Sequence, residues 1–347
     1  MTDFGLVRTP TFAGAALVRD EPQRQDPDRQ KEGWATARVI VVDDEGRAPV
    51  VWPDPPPTAE APAGPWLWTR VGAELAGAPP ADALLLGEVD GIAHWAVRGE
   101  RERAAVGDDP AVRWSNLAVV GAELGPHDSA LLAAAVALLG WHERARFCAR
   151  DGSPTRLINA GWARVCEAES HEEYPRTDPA VIVLVHDGAD RMLLGRHRNW
   201  PAGRFSVLAG FVEAGESLEA CVAREIAEEV GIDVTDIRYL GSQAWPFPRS
   251  LMIGYHAVAD PEQPLRLDET EICEAMWLTR DDLRTALARG DWRASPGAAG
   301  STGGSTASTG SSGLSGRGEA LGEAVPVRLP GPISIARNMI DSWVAAG

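Results

Sequence analysis

The sequence predicts an α+β chain with two folded parts joined by a short segment. Three observations carry this. Alternating apolar runs of strand length recur in both halves, two stretches of helical composition (127–146 and 218–230) interrupt them, and 347 residues at 44% apolar content suffice for two cores. Taken in order, ATARVIVVDD (35–44) reads as a strand entering a turn at Asp43–Gly46. The Pro-rich stretch VVWPDPPPTAEAPAGP (50–65) reads as an exposed loop. ALLLGEVDGIAHWAVR (83–98) alternates like two strands joined at Asp90–Gly91. HDSALLAAAVALLGWHERAR (127–146) is a helix with Asp128 or Ser129 as N-cap.

A segment over 147–173 leads to strands at 180–188, 191–198 and 204–213, a helix at 218–230, and strands at 237–245 and 250–259. LDETEICEAMWLT (267–279) reads as an acidic turn before a short helix near Asp281, and ISIARNMIDSWVAA (333–346) as a closing helix. Between them, 295–316 is Gly/Ser/Thr/Ala-rich and is expected to be a disordered insert, because it offers too little apolar surface to offset its ordering entropy. The expected division is 1–146, 147–175 and 176–347.

Fifty acidic against 33 basic residues give a net charge of −17. That weighs against sequence-independent nucleic-acid binding, which needs a basic face to displace counterions. Four cysteines in so long a chain do not make a dense disulfide framework. The first residues lack a basic stretch followed by an apolar one, and the longest apolar run, near 130–141, is too short to span a bilayer. The expectation is a reduced, cytoplasmic protein without membrane association.

The chemistry concentrates in GFVEAGESLEACVAREIAEEVGI (210–232), which follows a strand and passes through a Gly-flanked loop into a helix that Gly231 ends. Glu225, Glu228 and Glu229 fall at i, i+3 and i+4, so their carboxylates share one helical face. A run of this kind alone is usually a solvated acidic face. A hard divalent cation bound through oxygen would relieve the repulsion, and Mg²⁺ or Mn²⁺ suits such a site.

The spacing G-x5-E-x7-R-E-U-x-E-E-x-G-U (U apolar) is met at every fixed position and resembles the signature of the Nudix hydrolases. The resemblance implies a C-terminal α/β/α sandwich with a mixed sheet. It implies metal ligation by Glu225, Glu228, Glu229 and the carbonyl of Ala209, an orienting role for Arg224, and a loop-fixing role for Glu216. The implied reaction is attack of water on phosphorus, with Glu229 as first choice of base and Glu225 as second.

Downstream, SQAWPFPRS (242–250) is an aromatic, Pro-rich loop whose rings can stack on flat groups. It resembles the S-Q-P-W-P-F-P-x-S motif of the NADH pyrophosphatase subfamily, with Ala244 in place of the first proline. WHERARFC (141–148), YPRTDPAVIVLV (174–185) and SIARNMI (334–340) extend the resemblance. Carried over, the residues around the dinucleotide are Tyr174, Phe211, Gln243, Ala244, Trp245, Pro246, Phe247, Pro248, Arg249, Ser250, Glu271 and Ala336, with Glu271 also at the metal and Glu274 at a second acidic position. The implied activity is hydrolysis of NAD(H) to nicotinamide mononucleotide and AMP by a homodimer whose active sites borrow residues across the interface. Removal of NAD caps from RNA 5′ ends, a broader activity on ADP-ribose-like dinucleotides, and a non-catalytic nucleotide sensor are the alternatives, the last disfavoured by the intact glutamates.

Three departures stand out. Where the subfamily carries a C-x2-C…C-x2-C zinc ribbon, this chain has Cys148, Asp151, Cys166 and Glu169. Zinc accepts carboxylate oxygen, and His171 is near enough to substitute. The expectation, though, is a ribbon-shaped segment held by packing and hydrogen bonds, since structural zinc sites are mostly thiolate and imidazole. Gly161 stands where some members have a glutamate, and Ala118 where an arginine is frequent, with Arg113 as an open candidate to replace it.

Overall fold

The computed structural model describes residues 4–13, 17–53, 64–292 and 326–347. The 295–316 insert and most of the Pro-rich loop lie outside the described residues.

In the first half, Arg38–Val42 pairs with Arg70–Val71 on one side and Ile92–Arg98 on the other, and Leu84–Val89 completes a four-stranded sheet. The expected hairpin turns at Asp90 and Gly91, both at positive φ (51° and 75°), as a two-residue turn matching strand twist requires. A second sheet joins Trp66–Leu67, Arg47–Val51 and Val112–Asn116. Helix Pro126–Arg144 buries Leu131, Leu132, Leu138 and Leu139 in the core between these layers. Its N-cap is Gly125, not Asp128 or Ser129 as expected. Pro126 fits the first turn, where no N–H is needed. Asp128 is thereby free to accept the Leu67 N–H at 2.8 Å and tie the helix to a strand.

The linking segment is a small antiparallel sheet of Thr155–Ile158, Ala163–Cys166 and Glu172–Glu173. Beyond it, a mixed sheet runs Thr235–Trp245, Ser250–Val258, Asp178–His186, Arg191–His197, Ile272–Thr279. Asp178–His186 runs parallel to Ser250–Val258 and antiparallel to Leu208–Phe211. Ile272–Thr279 corrects the expected acidic turn. Its charged first half conceals a strand that pairs with Arg191–His197 along its length.

Asp178–His186 is buried on both faces, which is why its apolar run is continuous. Val181, Val183 and Val185 face helix Leu218–Val230; Ile182 and Leu184 face helices Arg280–Ala288 and Ile335–Ala345. The result is a helix–sheet–helix sandwich. Phe4 packs in the core under Ile335–Ala345, and the Val7 N–H donates to Ser342 Oγ at 3.0 Å, so the first residues are stitched to the last helix. Phe12 and Ile333 belong to the first half's core, against which Trp245 and Phe247 also pack.

Candidate active site

Helix Leu218–Val230 is capped by Ser217, which accepts the Ala220 N–H, and ended by Gly231 at φ 72°. Its stripe Cys221, Val222, Ile226 and Val230 is fully buried against the sheet. Glu229 lies three residues after Ile226, so its carboxylate is carried down the flank of that stripe and is only 6% exposed. The Ala209 N–H bonds to it, while Oε2 is buried with no hydrogen-bond partner among the described residues. Burial, followed by the charges of Glu225 and Glu271, pushes its pKa up to about 8. Burial also raises Glu225.

Arg224 holds this face together. Its Nε and Nη2 grip Glu216 at 2.7 and 2.8 Å, and Nη1 reaches Glu225 at 2.9 Å and Glu228 at 2.8 Å. Nη2 also donates to the Phe211 carbonyl at 3.0 Å. This fork holds Glu216 down at about 2. Gly210 makes room for Glu225, because a Cβ there would stand 1.8 Å from the Glu225 carboxyl carbon and push that carboxylate aside. Carboxylates on one face with one orphaned buried oxygen suit a hard divalent cation, although among the described residues their ligand atoms are not drawn as close together as those of the ribbon.

Glu271 enters the same group through its charge on Glu225 and Glu229, its backbone fixed by the Asp268 carbonyl and the Arg198 N–H. Glu274 points elsewhere and pairs with Arg196 at 2.5 Å.

Ala209, Gln243, Trp245 and Ala336 come together in an apolar cavity of about 370 Å³. Gln243 is buried and its amide is engaged: it donates to the Ile333 and Thr11 carbonyls and accepts the Ile335 N–H at 2.7 Å. It therefore anchors the last helix beside the cavity. Trp245 and Phe247 meet edge-on with centroids 5.0 Å apart. Tyr174, Pro248 and Arg249 are not in this cavity; they line a separate groove of about 230 Å³ with Trp141, Phe147 and Arg176. Phe211 and Tyr174 are the exposed rings of the set, at 58% and 62%. Ala244 and Ser250 sit on the paired edges of strands Thr235–Trp245 and Ser250–Val258, and Pro246 in the turn between them.

Two residues of the cavity, Trp200 and Trp292, lie outside the expected set. Each is a lone tryptophan in a polar loop, a weak signal in sequence. Ala118 does line the cavity, whereas Arg113 stacks at 5.8 Å from Trp52 and is not among the lining residues. Gly161 cannot stand in for a glutamate: its φ is 98°, and a Cβ would meet Leu84 at 2.5 Å.

In the ribbon segment the converging donors are Cys148, Asp151, Cys166 and His171, all within 4.8 Å of one another. Cys148 Sγ lies 3.6 Å from His171 Nδ1, and Cys166 Sγ 3.4 Å from Asp151 Oδ2. Glu169 offers its backbone N–H to Cys166 Sγ at 3.5 Å, and its carboxylate is outside the group, which corrects the expected fourth position. The turn explains the exchange. Ser170 adopts φ 58° and donates to the Cys166 carbonyl, so the chain folds back and the Cys166 N–H meets the His171 carbonyl. All four cysteines are free thiols.

Known proteins match this architecture. The NUDIX domain family model matches residues 176–297, and the NADH pyrophosphatase zinc ribbon domain model matches 143–174. A "NAD-capped RNA hydrolase NudC" of Mycobacterium bovis (BCG Pasteur) is 44% identical over 344 residues, covering 99% of this chain and 97% of that protein. The chain belongs to the Nudix hydrolases, in the NADH pyrophosphatase subfamily. A second Nudix relative, the mouse mitochondrial "NAD(P)H pyrophosphatase NUDT13", is 41% identical over 64% of this chain and 56% of its own length. A solved NUDIX hydrolase from Nitrosomonas europaea aligns at 20% identity with a TM-score of 0.34, over 39% of this chain and 78% of that one. No helix among the described residues of this Nudix chain is long and apolar enough to cross a membrane.

Proposed function

We propose that this Nudix hydrolase splits the diphosphate bond of NAD(H) into nicotinamide mononucleotide and AMP. The observation that carries this is the buried Glu229, with its orphaned oxygen, bonded to Ala209 on the wall of an aromatic cavity. A diphosphate lying over the glutamates places a nucleotide in that cavity. The names of both relatives, a hydrolase of NAD-capped RNA and an NAD(P)H pyrophosphatase, share a dinucleotide diphosphate and support the substrate class.

Glu225, Glu228, Glu229, Glu271 and the Ala209 carbonyl would hold Mg²⁺ or Mn²⁺, which when bound polarises the phosphoryl oxygens and acidifies the attacking water. The chain's own part begins with Arg224, whose fork keeps Glu216, Glu225 and Glu228 in fixed register before substrate arrives. Glu229 is the base. Its carboxylate is bonded to Ala209 and its buried Oε2 has no hydrogen-bond partner among the described residues, which leaves that oxygen to take the proton from water. Glu225 is the second candidate.

Tyr174 and Phe211, exposed and away from the cavity, support a homodimer in which one subunit's ring completes the other's site. At the ribbon, His171 in place of Glu169 gives two thiolates, an imidazole and a carboxylate, a donor set that suits tetrahedral zinc. Free thiols suit a reducing, cytoplasmic setting. A second reading, removal of NAD caps from RNA, is favoured by the name of the full-length relative and by Arg144, Arg176 and Arg249 around the Tyr174 groove. The net charge of −17 favours the free dinucleotide.

The test is release of nucleoside monophosphate from NADH, NAD-capped RNA, ADP-ribose and FAD with Mg²⁺ or Mn²⁺. NADH is expected to lead; equal rates on all four would overturn the NAD(H) assignment.

A further inference from the structure

The cavity beside the glutamates has an aromatic wall that water attack on phosphorus leaves unexplained. Trp200 follows strand Arg191–His197, and Trp292 follows helix Arg280–Ala288. Their ring centroids are 4.9 Å apart at 58°. Both are pinned through polar atoms. Trp292 Nε1 donates to the Arg328 carbonyl at 2.9 Å, the Trp200 N–H to the His197 carbonyl at 2.9 Å, and Arg196 Nη1 to the Trp200 carbonyl at 3.0 Å. Arg204 stands 5.8 Å from the Trp292 ring.

Neither ring is buried in a core cluster; both stay half-exposed on the wall of a 370 Å³ space. Trp292, held through its indole nitrogen, and Trp200, held through its backbone, both line the cavity with part of their rings exposed, and such rings are a stacking surface for a flat group. The same cavity is lined by Ile182, Met252, Trp245 and Ala336, so the space beside the two rings is apolar. The cavity reaches Ala209, which is bonded to Glu229, so a ring held here is continuous with phosphates held at the glutamates.

We propose that Trp200 and Trp292 bind one of the two heteroaromatic rings of the dinucleotide and thereby set which nucleotide is accepted on that side of the diphosphate. This rests on the assignment of a dinucleotide substrate. Adenine and nicotinamide share the planar chemistry, and the experiment separates them.

The test is calorimetric titration of AMP and, separately, nicotinamide mononucleotide into the full-length protein and its Trp200→Leu, Trp292→Leu and Trp292→Phe variants, each first checked for an unchanged melting profile. One mononucleotide is expected to bind wild type and to lose about tenfold or more in affinity in each leucine variant, the scale of one base–aromatic stack. Trp292→Phe is expected to keep most of the affinity, and KM for NADH to rise with the leucine changes while kcat holds. Equal mononucleotide affinity in wild type and both leucine variants, with KM for NADH unmoved, overturns the stacking wall and leaves the diphosphatase assignment standing. A wild-type protein that neither binds a mononucleotide nor cleaves any dinucleotide overturns both.

Discussion

The acidic helix and the ribbon segment each gather four charged or ligating side chains, yet they are held in place by different means. On the helix, backbone periodicity sets the positions of Glu225, Glu228 and Glu229, and Arg224 ties two of them to Glu216 with bonds of 2.7–2.9 Å. In the ribbon, the donors hang on turns, and one residue at positive φ decides that His171 and not Glu169 reaches the cluster. A regular helix tolerates no exchange of ligand positions, because moving one residue rotates the side chain by about 100°. A turn tolerates it, because two residues of slack bring another donor to the same point.

Breaking the helix side has the largest expected effect. Glu229→Gln keeps the shape and removes the proposed base, so kcat for NADH should fall by about 10²–10⁴-fold. Full activity in that variant, measured by AMP release, would transfer the role to Glu225. Arg224→Lys comes next. Lysine keeps the charge and loses the planar fork, and misplaced carboxylates should cost roughly 100-fold in kcat/KM. A loss under threefold would mean that the fork does not set the register.

The ribbon side should respond in stability and not in chemistry. Metal analysis of purified protein is expected to give about one zinc per chain, lost in Cys166→Ser and His171→Ala and kept in Glu169→Ala. The first two should melt about 5–10 °C lower, as a loss of a few kcal/mol implies for a chain of this size. Zinc retained in His171→Ala and lost in Glu169→Ala would reverse the assignment.

Much of this was legible in sequence, and the reasons differ by region. Helix Leu218–Val230 has the bounds expected of it, because Ser217 caps it, Gly231 ends it, and its apolar stripe is regular. The strand Ile272–Thr279 was not legible, since the acidic run 268–271 leads straight into it and Glu274, paired with Arg196, sits among its first residues. The grouping of Gln243, Trp245 and Ala336 was expected from the family resemblance alone, but the diversion of Gln243 into backbone bonds depends on Thr11, some 230 residues away, which no local pattern encodes. Trp200 and Trp292 were missed for the same reason: only the folded chain brings two loops about 90 residues apart to one wall.

The finest contrast between the two regions is in their response to acid. Where the first half meets the ribbon, His142 lies between Gly161, at 2.8 Å from Nε2, and Arg164, at 2.9 Å from Nδ1. The arginine can only donate, so Nδ1 accepts and the ring is neutral, donating through Nε2. Burial, and then the Arg164 charge, lower its pKa to about 4. The unfolded chain, with an ordinary histidine near 6.5, binds more protons between these values, so this contribution is full above about pH 6.5 and is lost as pH falls through 4. Glu229 has the opposite sign. Its folded pKa near 8 lies above the unfolded value, so in metal-free protein its contribution is full below about pH 4.5 and is lost as pH rises through 8. Urea midpoints of metal-free protein from pH 4 to 8 should therefore separate two variants. His142→Gln should flatten the acid limb by about 1–2 kcal/mol, and Glu229→Gln should flatten the neutral limb by an amount of similar order. Identical pH profiles for wild type and both variants would show that neither buried group carries its shifted proton affinity into the stability of the fold.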